Sequence, residues 1–353
     1  MSGESFMMNY DMASFYAKRL DDVLEAQRDN GGITETAPFV GIADAGLGGG
    51  SGPIGWQTYG AQSAAWLFKY YGNRAIVEKA FPAMTRYVEF LDACPRDAIE
   101  NGLGDWMPVE DSALPLTGLG FQHVSYLAYA NMSAIVGNAS QAAAYTARAA
   151  AIADALNTAF LDPASGVYAA KGIFNRTQCG QSMPLFLQIV PPAAHDAAVA
   201  ALVANLADHS GHLQVGSFGV KYLLMSLVDS GRADLAFGVM NKTDYPSFGF
   251  MLDENVNKLT SATTLWESWF TSDNTFSHDH PMCMYPRPSP TAAATSPPPN
   301  HSPSSRPNPR PAQSAAPRCT SSRALPASSL TRRLSRSTAS SSSPRRRASS
   351  SPT

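Results

Sequence analysis

"NYDMASFYAKRLDDVLEAQRDNGG", residues 9–32, decides how the rest of the chain reads. Met12, Phe15, Tyr16, Leu20, Val23 and Leu24 return every three or four residues, which is the repeat of one helix face, and Asp29-Asn30-Gly31-Gly32 ends it. The same repeat predicts helices over about 56–71, 75–91, 117–136, 140–160, 182–190, 193–208, 219–229 and 231–241. Ser140 is placed to cap the fifth of these helical runs. Pro82 falls about one turn into its helix, a position tolerable only near a helix start. Short strands are expected at 167–170 and 213–217, but no alternating run is long enough for a sheet. The class is mostly α.

Helices of this length, joined by loops that alternate short and long, fit stacked antiparallel pairs. An open solenoid would show a fixed period of about 34–45 residues, and none is present. A closed ring of hairpins instead gathers its long loops around a cavity. Here those loops are "TETAPFVGIADAGLGGGSGPIGW", "GLGDWMPVEDSALPLTG" and "KTDYPSFGFMLDENV". The (α/α) barrel is the expected architecture for 1–282.

Composition divides the chain. Its net charge of −2 averages two unlike pieces. Residues 283–353 hold 14 Pro, 19 Ser and 11 Arg with no Lys, Asp or Glu, so they are expected to be a disordered tail, one whose alphabet also suits an out-of-frame reading of GC-rich DNA. The remaining body carries 15 basic and 28 acidic residues, which argues against nucleic-acid and anionic-membrane partners. No run of about 18 apolar residues exists to span a membrane, and the first residues lack the pattern of a signal peptide. Cys94, Cys179, Cys283 and Cys319 form no CxxC pair; a Cys94–Cys179 disulfide and two free buried thiols are both open, with free thiols the expectation. Sequons at Asn131, Asn138, Asn175 and Asn241 favour a secretory route slightly and leave the compartment, like the oligomeric state, undetermined.

The chemistry concentrates in Trp–carboxylate neighbours: "GDW" (Asp105, Trp106), Trp56 at the end of a Gly-rich loop, and "WESW" (Trp266, Glu267, Trp269). An aromatic face packs on the apolar face of a sugar ring while carboxylates bind hydroxyls and move protons, so the set points to a sugar-cleaving pocket; core aromatics with a turn aspartate are the plainer reading. His278 and His280 in "FSHDHPM" could form a metal pair only with "HSGH" at 209–212, whose spacing is not diagnostic, so no metal and no other cofactor is expected. "GLGGGSG" lacks the Lys-Ser/Thr of a phosphate loop, and no G-x-S-x-G elbow occurs.

In order along the chain, "MNYDMASFYAKRLDDVLEAQRDNGGITETAP", "GPIGW", "KYYGNRAIVEKAFPAMTRYVEFL", "GLGDWM", "SGHLQVGSFGVKYLLMSL", "TDYPSFGFML", "TTLWESW" and "FSHDHPM" resemble the catalytic domain of α-L-rhamnosidases, glycoside hydrolases built on a six-hairpin (α/α)6 barrel. The resemblance covers nearly all of 1–282. It implies inverting hydrolysis of terminal α-L-rhamnose from a glycan or glycoside, with Glu267 as general base. It also places Trp56, Asp105, Trp106, Trp266, Trp269 and His280 at substrate-binding positions, with His278 less well aligned.

The departures are specific. The family's general acid sits in an Arg-Asp-Glu-Arg-x-Gly-Trp type motif just upstream of "NYDM", and this chain reads "MSGESFM" there, with Glu4 the nearest carboxylate. "GWQTYGA" replaces the usual "GWGDA". After "HPM" the chain reads "CMYPRPSP" in place of a final barrel helix. The expectation is therefore an incomplete barrel, impaired in catalysis, with a non-catalytic carbohydrate-binding remnant or another six-hairpin glycosidase as the alternatives.

Overall fold

The computed structural model describes residues 3–43, 46–111, 113–169, 176–253, 265–266 and 269. Glu267, His278, His280 and the 283–353 tail lie outside them.

The chain opens with α1 (Gly3–Asn9) and α2 (Ala13–Ala26), and after a long loop continues into α3 (Ile54–Gln57) and α4 (Tyr59–Tyr71). α5 (Arg74–Ala93), α6 (Arg96–Glu100), α7 (Leu114–Val136) and α8 (Ala139–Phe160) follow. A small antiparallel ribbon of β1 (Leu161–Asp162) and β2 (Val167–Tyr168), paired Leu161 to Tyr168, leads to α9 (Gln178–Phe186) and α10 (His195–Asp208). α11 (Gly219–Asp229), α12 (Ala233–Met240) and α13 (Phe248–Leu252) complete the described elements. The helices thus stand close to where the apolar repeat puts them. Segment 213–217 forms no strand, because its hydrogen bonds go to other loops instead of a partner strand.

Local chemistry sets the ends. Gly72 and Gly137 terminate α4 and α7 in the left-handed region, at φ 66° and 88°, where a side chain would be strained. Asn73 and Asn138 cap α5 and α8 by accepting from Ile76 N and Gln141 N, each at 3.1 Å. The cap of α8 is therefore Asn138 and not Ser140. Pro82 sits well inside α5, which runs on through it, so it is tolerated here away from a helix start. The buried face of that helix, Ile76, Val77, Ala80, Met84, Tyr87, Val88 and Leu91, supplies packing that outweighs the lost hydrogen bond.

Burial sorts the hairpins into two layers. α7 and α9 are buried nearly all round, as helices of an inner layer must be, whereas α8 buries only Tyr145, Ala149, Leu156 and Phe160 and α10 only Ala198, Leu202 and Leu206. α4 packs on α5, α7 on α8, α9 on α10 and α11 on α12, and the inner members touch in the order α4, α7, α9, α11. Side-chain bonds lock neighbouring hairpins: Tyr126 on α7 and Tyr145 on α8 both donate to the Asp92 carboxylate of α5, at 2.7 and 3.2 Å. Cys94 is half-buried and Cys179 buried, and both are free thiols. Among the described residues no helix is long and apolar enough to cross a membrane.

Candidate active site

A cavity of about 1420 Å³ runs along the inner helices. Aromatic rings from four separate segments meet on its wall. Trp56 on α3 stands edge-on to Trp106, with ring centres 5.4 Å apart, and to Phe218, at 5.3 Å; Phe121 of α7 meets Phe218 at 4.9 Å. Such edge-to-face contacts hold the rings in fixed orientations and leave faces open for a ligand. A Cβ at Gly55 would lie 2.9 Å from the Phe121 ring, so this glycine is what lets α3 approach α7. Ser217 lines the same wall, and its buried Oγ has no hydrogen-bond partner among the described residues. An orphaned hydroxyl there is a ready partner for a ligand hydroxyl.

Asp105, expected at the pocket, does not line the cavity. It is fully buried beneath Trp106, where one carboxylate oxygen accepts the Gly216 N–H at 2.6 Å and the other accepts the Gly219 N–H at the first turn of α11. Burial pushes this carboxyl up to about 7, against the two amides and the Cys179 thiol, which pull it down; neighbouring Glu110 adds to the rise.

Trp266 and Trp269 are buried as well. Trp269 donates its indole N–H to Val215 O at 2.8 Å and packs against Phe248, while Trp266 meets Phe250 edge-on. Both are buried, and neither is among the described residues that line the cavity. Glu267 between them, and His278 and His280 beyond, lie outside the described residues. Trp56 and Trp106 are the expected sugar-platform residues that the structure does bring together, on the cavity wall.

Glu4 also reaches the cavity. It accepts from Lys221 Nζ at 2.6 Å, Tyr70 OH at 2.6 Å and Lys69 Nζ at 3.1 Å, tying α1 to α4 and α11. Burial raises its carboxyl, but the Lys221 ammonium and the hydrogen bonds outweigh burial and bring it down to about 2. Glu4 is held ionised and cannot serve as a proton donor near neutral pH. Glu35, Arg19, Tyr59, Lys221 and Phe218 line the cavity too, and no spacing rule singles them out. Phe218 and Lys221 were visible only as part of "GSFGVKYLL", whose period reads as helix. No group of three or more His, Cys, Asp or Glu able to hold a metal is found among the described residues.

Residues 1–286 match the family described as the bacterial alpha-L-rhamnosidase 6-hairpin glycosidase domain. The chain belongs to that family. An alpha-L-rhamnosidase of Streptomyces avermitilis is 31% identical over 265 residues, covering 73% of this chain and 24% of that protein. The solved structure of an alpha-L-rhamnosidase from Dictyoglumus thermophilum superposes with a TM-score of 0.70 at 28% identity, over 80% of this chain and 31% of that one. The Streptomyces avermitilis alpha-L-rhamnosidase complexed with L-rhamnose gives 0.64 at 28% identity, over 76% and 25%. The chain thus spans about a quarter to a third of the length of these rhamnosidases. Within the six-hairpin frame, the aromatic wall is formed by α3, α7 and the segments that precede α7 and α11.

Proposed function

We propose that the chain acts in hydrolysis of terminal α-L-rhamnose from a glycan or glycoside, as an inverting α-L-rhamnosidase-type glycosidase with Glu267 as general base. The supporting observation is the wall of Trp56, Trp106 and Phe218 with the unpartnered Ser217 hydroxyl, a surface with an apolar platform and a polar contact on one side of a cavity. Inverting carboxyl pairs stand roughly 6.5–9.5 Å apart around the attacking water. His280 is proposed to contact the sugar. The chain is expected to bind L-rhamnose on this wall and to hydrolyse a rhamnoside through Glu267.

Calorimetric titration with L-rhamnose, glucose as control, and a chromogenic α-L-rhamnoside assay test this. Rhamnose binding retained in Glu267→Gln, with hydrolysis lost, supports the assignment. Turnover unaffected by Glu267→Gln rules out the base. A second reading, a carbohydrate-binding remnant, predicts rhamnose binding with no hydrolysis in either form.

A further inference from the structure

Among the described residues the buried carboxylate of Asp105 has no cation as a partner: two backbone amides and the Cys179 thiol surround it, and Glu110 opposes it. An acid in such a place is a net burden on folding, and a residue of similar shape without charge would ordinarily serve stability better. What the carboxylate alone provides is two acceptors at once. Asparagine, nearly identical in shape, turns one of them into a donor and sets it against an N–H.

Those two acceptors hold together two segments that carry cavity-wall residues. Trp106 and Met107 both lie in the left-handed region, at φ 56° and 54°, a conformation that side-chain-bearing residues keep only when their surroundings enforce it. The enforcing bonds come from the second segment: Ser217 N donates to Trp106 O at 2.9 Å, and Phe218 N to Asp105 O at 3.3 Å. Close approach is built into that segment. A Cβ at Gly216 would lie 2.5 Å from Asp105 O, and one at Gly219 would lie 2.7 Å from the carboxylate's Oδ1. The same 212–219 segment is bonded outward on every side, with Gln214 O accepting from Val109 N and Glu110 N, Val215 O from Trp269, and His212 Nε2 meeting Asp244 at 2.8 Å.

We propose that Asp105 is a positioning residue of the site, whose carboxylate ties the 103–107 loop to the 216–219 segment and so sets Trp106, Ser217 and Phe218 against a bound sugar. The tie stands on geometry alone; its consequence for the sugar rests on the rhamnoside reading above. Asp105 itself touches no substrate.

The test uses the whole chain. Asp105→Asn removes one acceptor, and Gly219→Ala drives a methyl into the carboxylate from the opposite side. Tyr126→Phe removes the bond to Asp92, remote from these loops, and controls for lost stability. Near-UV circular dichroism reports the packing of the aromatic side chains, Trp56 and Trp106 among them, far-UV the helices, and calorimetry the L-rhamnose affinity. Both tie variants are expected to keep the far-UV spectrum, lose near-UV amplitude and weaken L-rhamnose binding about tenfold, the factor given by one lost buried hydrogen bond. Tyr126→Phe is expected to lower the urea midpoint without either change. Unaltered near-UV spectra and affinity in the tie variants, or equal losses in Tyr126→Phe, overturn the proposal. Hydrogen exchange in the unmodified chain needs no variant: the amides of Gly216 and Gly219 should be protected like the helical core, and exchange at the rate of exposed loops overturns the tie. If the unmodified chain binds no L-rhamnose, the rhamnoside reading falls, while near-UV and exchange still judge the tie.

Discussion

"GDW" at 104–106 and "WESW" at 266–269 look alike in sequence, each a carboxylate beside tryptophan. In the fold their aromatic parts go opposite ways. Trp106 faces the cavity while its neighbour Asp105 is sealed below it, and Trp266 and Trp269 are sealed into the core. What separates the pairs is where the polar edge of each finds a partner. The Asp105 carboxylate reaches backbone amides inward and leaves the ring of Trp106 outside. The indole N–H of Trp269 reaches Val215 O inward and draws the whole ring in with it. Adjacency to a carboxylate therefore does not tell a sugar platform from an anchor; the hydrogen-bond partner of the polar atom does.

The contrast is broken most severely at Trp269. With 1% of its surface exposed, Trp269→Ala should cost about 3–5 kcal/mol of stability, read as a lower urea midpoint. Trp106→Ala, by the same measurement, should cost much less, and should instead weaken L-rhamnose binding by about tenfold or more through the lost ring contact. Equal stability losses at the two sites would erase the distinction between platform and anchor.

Asp105 offers the next effect, through pH. Its carboxyl in the folded chain is pushed up to about 7, above the usual carboxylate range near 4. Between these values the folded state binds more protons than the unfolded state. The stability this group contributes is therefore fully present below about pH 4 and is lost as pH rises through 7. Asp105→Asn lacks that component. The stability gap between the unmodified chain and the variant should narrow from pH 5 to pH 8, with a slope of at most about 1.4 kcal/mol per pH unit for one proton. Glu110, which opposes the Asp105 charge, and Cys179 remain in both proteins. A gap constant across the range would show that Asp105 does not ionise there.

These sites also mark how far the sequence could be read. Helices such as 117–136 and 219–229 emerge from the apolar repeat to within a few residues, because burial on one side leaves a period in the residues themselves. Trp56 and Trp106 are legible as cavity residues from aromatic type beside Gly-rich turns. The burial of Asp105 is not, since its partners Gly216 and Gly219 lie more than a hundred residues away and contribute only backbone amides, which carry no side-chain signature. Glycines at 216 and 219 were the available signal, and they read as loop and helix start until the carboxylate is seen filling the space. Phe218 escaped notice for a related reason: a phenylalanine entering an apolar helix looks like core until its neighbours turn out to be Trp56 and Phe121.

Ser217 gives the smallest effect and the finest test of the wall. Its backbone N–H is spent on Trp106 O, so its position follows the tie between the two loops, while its Oγ is left without a partner among the described residues. Removing that hydroxyl leaves the tie intact. Ser217→Ala should therefore keep the near-UV spectrum and the stability, since an unpartnered buried hydroxyl contributes little to folding, and should weaken L-rhamnose binding by about two- to tenfold if the hydroxyl meets the sugar. An unchanged affinity would leave the aromatic rings as the whole of this wall's contribution. A tighter binding would mean that the hydroxyl stays unpaired in the complex, and that its burial opposes the ligand.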